Sequence, residues 1–211
     1  MKVIDFPQGS EEWLASRAGK VTASRVSDVL AKIKTGEAAA RADYKAQLVA
    51  EILTGKPQES TFTNAEMQWG TEQEPFARSA YEVARDTMVD QVGLVIHPRI
   101  ERAAASPDGI VGDGLIEVKC PKTATHLQYL LAGVVPSKYK PQMLWQMACT
   151  EKAWCDFASF DPRLPEELQL FVVRFERDDA EIRRMEAEVK VFLDEVDELV
   201  AKCEALRKRA A

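Results

Sequence analysis

Residues 88–120 constrain the fold more than any other part of this chain, because they break into short apolar runs separated by turn residues. Val, Leu and Ile follow one another there without helical spacing, which predicts strands. Pro-Asp-Gly at 107–109 and Gly-Asp-Gly at 112–114 predict turns between these strands. Apolar runs at 153–160 and 168–175 predict two further strands. Because helical patterns surround the strands, we expect a mixed α/β domain with a central β-sheet.

Capping residues and apolar residues spaced three or four positions apart mark the helical segments. Ser10, followed by two acids, predicts a helix start, and glycines predict helix ends. We expect helices from Ser10 to Gly19, from Thr22 or Ser24 to Gly36, and at about 38–53, 64–85, 123–131 and 140–148. The 211 residues are thus predicted to form one domain, with a helical part at 1–86, a sheet core with its own helices at 87–175 and a C-terminal helix at 176–211.

The last part of the chain has the most regular apolar periodicity, sustained over about 25 residues. The apolar positions are Ile182, Met185, Val189, Phe192, Val196, Leu199, Cys203 and Leu206. This spacing is compatible with a coiled coil or with a long amphipathic helix packed on its own domain. Val191 and Val200 broaden the apolar face beyond a coiled-coil seam, so we favour the packed helix.

The composition is typical of a globular protein, with 46% hydrophobic and 29% charged residues. No apolar run approaches the roughly 18 residues of a membrane span, and the N-terminal residues lack the apolar segment of a secretion signal. Four cysteines in 211 residues do not form a secreted disulfide framework. We therefore expect a cytoplasmic protein with reduced thiols and no membrane association.

The net charge of −6 is distributed unevenly. Residues 16–45 carry seven basic and three acidic side chains, whereas residues 164–211 carry nine basic and thirteen acidic ones. An acidic balance alone argues weakly against a nucleic-acid partner, but a local basic patch is compatible with one. The alternative is that the basic residues form an ordinary solvated helix face.

Two acids and a lysine form the pattern with the clearest chemical meaning. Glu117 and Lys119 project from one face of a predicted strand, and the turn at 112–114 brings Asp108 beside Glu117. Carboxylates suit a hard ion such as Mg²⁺, and a nearby lysine can orient an attacking water or hold a phosphate oxygen. The alternative is a solvated strand face. The apolar residues around the pattern favour a buried strand, whose charged groups need partners.

Other catalytic patterns are missing from the sequence. His97 and His126 have no neighbours at zinc-ligand spacing. Cys149 and Cys155 are six residues apart and the other two cysteines are distant, so the spacing of iron–sulfur ligands is missing. The Gly-rich phosphate loop of ATP-binding proteins is missing too. We expect no zinc, no iron–sulfur cluster and no ATP dependence.

The acid–lysine pattern resembles the core motif of PD-(D/E)xK nucleases, with Ser-Pro-Asp-Gly at 106–109 and Glu-Val-Lys-Cys-Pro at 117–121. More narrowly, the chain resembles the YqaJ-type viral recombinase family, the family of phage lambda exonuclease. Further matching segments are Trp-Leu-Ala-Ser-Arg-Ala-Gly-Lys-Val-Thr-Ala-Ser at 13–24, Trp-Gly-Thr-Glu-Gln-Glu-Pro-Phe-Ala-Arg at 69–78, the glutamine helix at 139–145 and Phe-Asp-Pro-Arg at 160–163. The resemblance implies a restriction-endonuclease-like core, with a central mixed sheet flanked by helices and a long C-terminal helix.

The resemblance also implies a metal-binding set. Asp108 and Glu117 would be the main metal ligands, together with the Val118 carbonyl. Glu74 would face a second metal position, although without the resemblance it would be taken for a helix-surface acid. Lys119 would position the attacking water.

A glutamine completes the implied catalytic set. Gln142 would support the nucleophile or a metal ligand. Two residues later, where the family often repeats glutamine, this chain has Leu144, and Gln146 lies nearby but out of register. The choice between the two glutamines stays open at this point.

For DNA, the resemblance implies a site for the 5′-terminal phosphate. Arg17 would bind this phosphate, with hydroxyl donors from Ser24 and Ser106, since a guanidinium binds phosphate bidentately. Four more basic residues are candidates for contacts with the duplex backbone: Lys20, Arg25, Lys32 and Lys34.

The function implied is a 5′→3′ exonuclease on double-stranded DNA that uses Mg²⁺, with Mn²⁺ as an alternative ion, and leaves a 3′ single-stranded tail. The resemblance implies a ring-shaped homotrimer around DNA and a phage single-strand annealing protein as partner. Two alternatives remain at this point. One is a restriction-type endonuclease on the same fold, and the other is an inactive DNA-end-binding protein.

Overall fold

The computed structural model describes residues 1–58 and 65–210. The eight helices of the described ranges are α1 Glu11–Arg17, α2 Val26–Val29, α3 Ala39–Thr54, α4 Ala65–Arg85, α5 Thr123–Ala132, α6 Lys140–Thr150, α7 Glu166–Gln169 and α8 Asp179–Ala210. The eight strands of the same ranges are β1 Lys2–Ile4, β2 Val21–Thr22, β3 Leu94–Ile96, β4 Ala103–Ala105, β5 Gly109–Val111, β6 Gly114–Lys119, β7 Trp154–Phe160 and β8 Leu170–Glu176. The predicted start of the fourth helix near Asn64 lies outside the described residues.

Local sequence explains the helix ends that were predicted well. The Ser10 side chain accepts a hydrogen bond from the Trp13 N–H at 3.1 Å, which caps α1. Gly55 ends α3 with a left-handed φ of 66°, a conformation that glycine adopts without steric cost. The prediction of a second helix reaching Gly36 was wrong. α2 ends at Val29, and Ile33, which was assigned to its apolar face, is 55% exposed.

The strands form two four-stranded sheets rather than the one central sheet that was expected. One sheet has the order β1–β3–β4–β2, and the other has the order β5–β6–β7–β8. β1 and β2 lie in a region predicted to be helical, because strands of two or three residues carry no periodicity of their own. The predicted strand at 88–97 contracts to β3, while Asp90 forms a single bridge to Ile110.

β6 is buried on both faces, which explains its nearly continuous apolar sequence. Leu115 packs into the larger core, whereas Ile116 and Val118 pack into a second core against α4. Because side chains alternate along the strand, Glu117 lies on the face of Leu115, toward α6. β6 pairs with β7 in parallel and with β5 in antiparallel register, so the strand that carries the acid–lysine pattern is internal to its sheet.

The C-terminal helix packs on its own chain, as favoured from the sequence. The predicted apolar positions between Ile182 and Val196 are buried in the larger core. There α8 contacts α2, α3 and α6. Val191 was wrongly assigned to this face, since it is 53% exposed, whereas Val200 does pack against the core. Leu206, near the helix end, is exposed. Within the described ranges, none of the helices is both long enough and apolar enough to traverse a lipid bilayer.

Candidate active site

A tight antiparallel hairpin sets the relative position of the two acids. β5 pairs with β6 so that Gly109 lies opposite Ile116, which places the preceding Asp108 level with Glu117. The Asp108 carboxylate accepts a hydrogen bond from the Val118 backbone N–H at 2.7 Å. The predicted juxtaposition of the two acids is therefore present, and a backbone contact holds it.

The carboxylate of Glu117 is completely buried and has a donor on each oxygen. Gln142 Nε2 donates to Oε1 at 2.7 Å, and Gln146 Nε2 donates to Oε2 at 2.6 Å. Lys119 Nζ forms an ion pair with Oε1. The two glutamines lie one turn apart on α6, so a single helix face holds both oxygens of this acid.

Burial and mutual repulsion change the protonation of the site. Burial, followed by the nearby Glu117 charge, raises the pKa of Asp108 to about 8. Burial acts to lower the pKa of Lys119, but the attraction of Glu117 and Asp108 outweighs it and raises that pKa above its ordinary value. Lys119 is therefore a cation at neutral pH, suited to stabilise negative charge rather than to accept a proton.

α4 brings a third acid and an arginine to the same place. Arg78 donates to the backbone carbonyl of Asp108 at 2.8 Å and forms an ion pair with Glu74 at 3.1 Å. In the amide orientation that satisfies its hydrogen bonding, the side-chain oxygen of Gln91 also accepts from both terminal nitrogens of the Arg78 guanidinium. Arg78 therefore joins α4 to the residue that begins the catalytic hairpin.

Part of this cluster opens onto a cleft of about 790 Å³, whereas Glu117 and Gln146 are buried behind its wall. Glu74, Asp108 and Lys119 lie on its wall, and the Lys119 ammonium is 5.4 Å from the centre of the Tyr139 ring. Arg163, bonded to Asp161, covers the Trp69 ring at 4.6 Å. The cleft thus combines carboxylates with cations and aromatic faces, which suits a nucleotide.

Oxygen donors at the cleft fit a hard divalent ion. Asp108 and Glu74 both line the cleft, and Glu117 lies behind Lys119 with its carboxylate next to Asp108. No group of three or more His, Cys, Asp or Glu side chains in residues 1–58 and 65–210 is already gathered as a metal cage. A metal would therefore use the two adjacent acids with the Val118 carbonyl, and Glu74 would have to leave its ion pair with Arg78 to join them.

Two of the three residues predicted to bind the 5′-phosphate are linked through a tryptophan. Trp13 Nε1 donates to the Ser106 hydroxyl at 2.9 Å, and the Arg17 guanidinium lies 4.0 Å above the Trp13 ring. Ser106 is only two residues from Asp108. Ser24 is exposed, and its hydroxyl is 3.4 Å from that of Thr22, which pairs with Ala104 in the neighbouring strand. Arg17 is thus the last residue of α1, Ser106 directly follows β4, and Ser24 lies in the short 3-10 turn after β2.

The candidates for duplex contacts have different surroundings. Lys20 is half-buried, and this burial lowers its pKa. Arg25 forms an ion pair with Asp28 at 2.5 Å, and Lys32 forms one with Glu188 at 2.6 Å. Lys34 is exposed. Arg25 and Lys32 would therefore have to exchange a carboxylate for a DNA phosphate.

Both histidines and three of the four cysteines are buried. His126 is completely buried and contacts the Ser159 hydroxyl at 2.7 Å and the Leu168 carbonyl at 2.9 Å. His97 stacks on Trp145, with 5.2 Å between the ring centres. All four cysteines are free thiols, and three of them are buried.

Sequence reasoning left one residue that touches the candidate ligands undecided and missed another. The choice between Gln142 and Gln146 was open, and in the structure both contact Glu117. Arg78 was noted only as part of a motif. For Gln146 the available sequence signal was its position four residues after Gln142 on an otherwise apolar helix, which places both side chains on one helix face. For Arg78 no local sequence pattern indicated a contact with the Asp108 carbonyl.

Comparisons with known proteins identify a family and structures to which the chain is similar. The model of the YqaJ-like viral recombinase domain matches residues 12–153. Two crystal structures of LHK-Exo, an alkaline exonuclease from Laribacter hongkongensis, are 47% identical to the chain, cover 96% of it and are themselves covered completely. Their TM-scores are 0.89, for a complex with dAMP, and 0.87.

A more distant structure supports the fold alone. A phage-related exonuclease from Haemophilus somnus 129PT is 17% identical to the chain and superposes with a TM-score of 0.69. The superposition covers 87% of this chain and 96% of the exonuclease. A search of curated proteins gave no significant match.

The fold and the cleft define an enzyme of the nuclease class. The family match extends over more than half of the residues, and the chain belongs to the family of YqaJ-like viral recombinase domains.

Proposed function

We propose that this protein is a divalent-metal-dependent 5′→3′ exonuclease that acts on double-stranded DNA and leaves a 3′ single-stranded tail for recombination by strand annealing. The observation that carries the proposal is the convergence of Asp108, Glu117 and Lys119 in one cleft. Relatives that are 47% identical over 96% of the chain bear the name alkaline exonuclease, which supports exonuclease activity.

Asp108 and Glu117, with the Val118 carbonyl, would hold Mg²⁺, or Mn²⁺ in its place, and Glu74 would serve a second ion. The ion would act as a Lewis acid on the phosphodiester oxygens. Burial, followed by the Glu117 charge, raises the pKa of Asp108, and a bound cation would oppose both effects, so this acid would bind the metal in its ionised form.

Lys119 would orient the attacking water and stabilise negative charge on the phosphate. Its ion pair with Glu117 fixes its position, and its charge persists at neutral pH. Gln142 donates to the Glu117 oxygen that also faces Lys119, so it supports both groups. The Tyr139 ring next to Lys119 lines the cleft, where a base or sugar can contact it.

The polarity is proposed from the phosphate site. Arg17 would bind the 5′-terminal phosphate, and Ser106 and Ser24 would donate hydrogen bonds to it. Support comes from the link through Trp13, which connects Arg17 to Ser106, two residues from Asp108. A phosphate bound there would place the first phosphodiester bond near the two acids.

We also propose the assembly and the partner that the resemblance implies. A homotrimer would enclose the duplex, with Arg17, Lys20 and Arg25 toward the DNA and the acidic helix α8 outside. Three other basic residues of segment 16–45 pair with acids of α8: Lys32, Arg41 and Lys45. A phage single-strand annealing protein would load onto the exposed 3′ tail. In this setting the protein would work in the cytoplasm of a bacterial or phage-infected cell.

The test is digestion of linear duplex, with and without a 5′-phosphate, in Mg²⁺ or Ca²⁺, followed on a denaturing gel. We expect mononucleotides released from the 5′ end of one strand in Mg²⁺ only. Cutting of covalently closed circular DNA would establish an endonuclease instead. DNA-end binding without nucleotide release in Mg²⁺ would establish an inactive binding protein.

A further inference from the structure

We propose that Gln146 is a positioning residue, which orients the Glu117 carboxylate for metal binding. The inference rests on the proposed metal-dependent function and adds a residue that the catalytic motif does not contain. It assigns different tasks to the two glutamines of α6, Gln142 at the mouth of the site and Gln146 behind it.

The two oxygens of Glu117 have different surroundings. Oε1 receives both the Lys119 ammonium and the Gln142 amide, so it faces the reactive side of the site. Oε2 receives the Gln146 amide at 2.6 Å, which is the single hydrogen bond to that oxygen among the described contacts. Gln146 therefore acts together with the two contacts at Oε1 to fix the rotation of the carboxylate about its last side-chain bond.

Burial makes this contact strong and constant. Gln146 and Glu117 are both completely buried, whereas Gln142 is half-buried and reaches solvent. Water therefore cannot replace the Gln146 amide as a donor to Oε2, and an unpaired buried carboxylate oxygen carries a large desolvation penalty. The Gln146 carbonyl oxygen faces the Cys155 thiol at 3.9 Å, which keeps the NH₂ group directed at Glu117.

The helix fixes Gln146 in turn. The Thr150 hydroxyl donates to the Gln146 backbone carbonyl at 2.8 Å, and Trp145 and Met147 on either side are completely buried. Groups that hold a ligand in place usually change metal affinity by 10- to 100-fold when they are removed. A glutamine that only filled the core would change stability and leave metal affinity unchanged.

The experiment is a calorimetric titration of Mn²⁺ into the metal-free full-length protein, without DNA. We expect Gln146→Met, which keeps the size but removes the donor, to weaken Mn²⁺ binding by roughly 10- to 100-fold. The matched control is Cys149→Ala, which removes a buried thiol from the same helix and leaves both glutamines and Thr150 in place. Its affinity should equal that of the wild type even where its melting temperature falls.

Equal Mn²⁺ affinity of Gln146→Met and the wild type would overturn the role of Gln146 and leave the proposed function intact. An absence of Mn²⁺ binding by the wild type would overturn the metal-dependent function itself, and the inference with it. If Gln146→Met does not fold, Gln146→Asn is used instead. Asparagine keeps the amide, but its side chain is one methylene shorter, so the NH₂ group is too far from Glu117 to donate to it. Unchanged affinity in that variant would equally overturn the assignment.

Discussion

The carboxylate of Asp108 accepts a 2.7 Å hydrogen bond from the backbone N–H of Val118, the residue between Glu117 and Lys119. This bond fixes the first acid against the middle of the Glu-Val-Lys segment, so the hairpin backbone itself holds Asp108 beside Glu117 and Lys119. Movement of the β5–β6 hairpin would displace all three together. The predictions below test what this arrangement does.

Lys119→Ala should abolish nucleotide release while the protein stays folded and still binds DNA. Loss of a group that stabilises charge or positions water typically costs at least ~10²-fold in rate. The variant is compared with Lys202→Ala, which removes an exposed lysine side chain of α8. Single-turnover release from linear duplex is the measurement, and retention of more than half of the activity would contradict the role of Lys119.

The wild type should prefer a 5′-phosphorylated end, and Arg17→Ala should weaken this preference. Charge-assisted bonds to phosphate are worth roughly 1.5–3 kcal/mol, or about 10- to 150-fold in binding. Rates on 5′-phosphate and 5′-hydroxyl duplexes give the preference. Lys34→Ala, which alters an exposed lysine of the same segment, is the control. Equal wild-type rates on the two ends would rule out the phosphate anchor.

Deletion from Asp178 onward should leave the protein unfolded or insoluble. The deletion removes Ile182, Met185, Val189, Phe192 and Val196 from the core, at roughly 1.5–3 kcal/mol for each fully buried side chain. Deletion of residues 205–211 alone should be tolerated, because residues 205–209 are exposed. Circular dichroism and size-exclusion chromatography are the measurements. A folded, soluble monomer after the longer deletion would show that α8 serves assembly instead.

Glu195→Gln should lower stability at neutral pH but not in strong acid. Hydrogen bonds from Arg41, and secondarily from Lys45, lower the pKa of Glu195 to about 2, although burial acts in the opposite direction. Because the folded pKa lies below the ordinary value of 4.5, the stabilisation is present above that value and is lost as the pH falls toward 2. The side chain is 36% exposed, so solvent screening limits the effect to about 1 kcal/mol.

Urea unfolding of both proteins between pH 2 and pH 7 measures this difference. Glu198→Gln on the same helix is the control, because its 4.0 Å pair with Lys202 is exposed on both sides. The wild type and Glu195→Gln should differ in unfolding free energy at pH 7 but not at pH 2. A difference that stays constant over this range would disprove the lowered pKa of Glu195.

Asp108→Asn should stabilise the metal-free protein, and more so at higher pH. Burial and the Glu117 charge raise the pKa of Asp108 to about 8, against an ordinary value of 3.8. The folded protein therefore keeps this proton while the unfolded chain releases it, so stability falls as the pH rises through that window. Asparagine does not titrate and can still accept the Val118 hydrogen bond.

Melting temperatures in EDTA between pH 4 and pH 9 test this prediction. The gap between Asp108→Asn and the wild type should widen up to about pH 8 and then level off. Asp113→Asn, at the exposed tip of the same hairpin, should show no such widening. A gap that does not change with pH would refute the raised pKa.

The acid–lysine set could be predicted from the sequence because its geometry is local. Glu117 and Lys119 share a strand face through the two-residue period, and a short turn brings Asp108 opposite them. The long amphipathic helix was equally accessible, since its buried residues follow a regular spacing over many turns. Capping chemistry at Ser10 and Gly55 placed two helix boundaries within a residue or two.

Only the tertiary structure decided the features that depend on distant contacts. Gln146 reaches Glu117 across 29 residues, and Arg78 reaches the Asp108 carbonyl across 30. The division into two sheets depends on pairing strands of two or three residues, which have too few side chains to show a period. The sequence by itself determined the chemistry of the site, because residue type and short spacing specify it. The packing of α4 and α6 against β6 determined which side chains support that chemistry, because such contacts form only when remote segments meet.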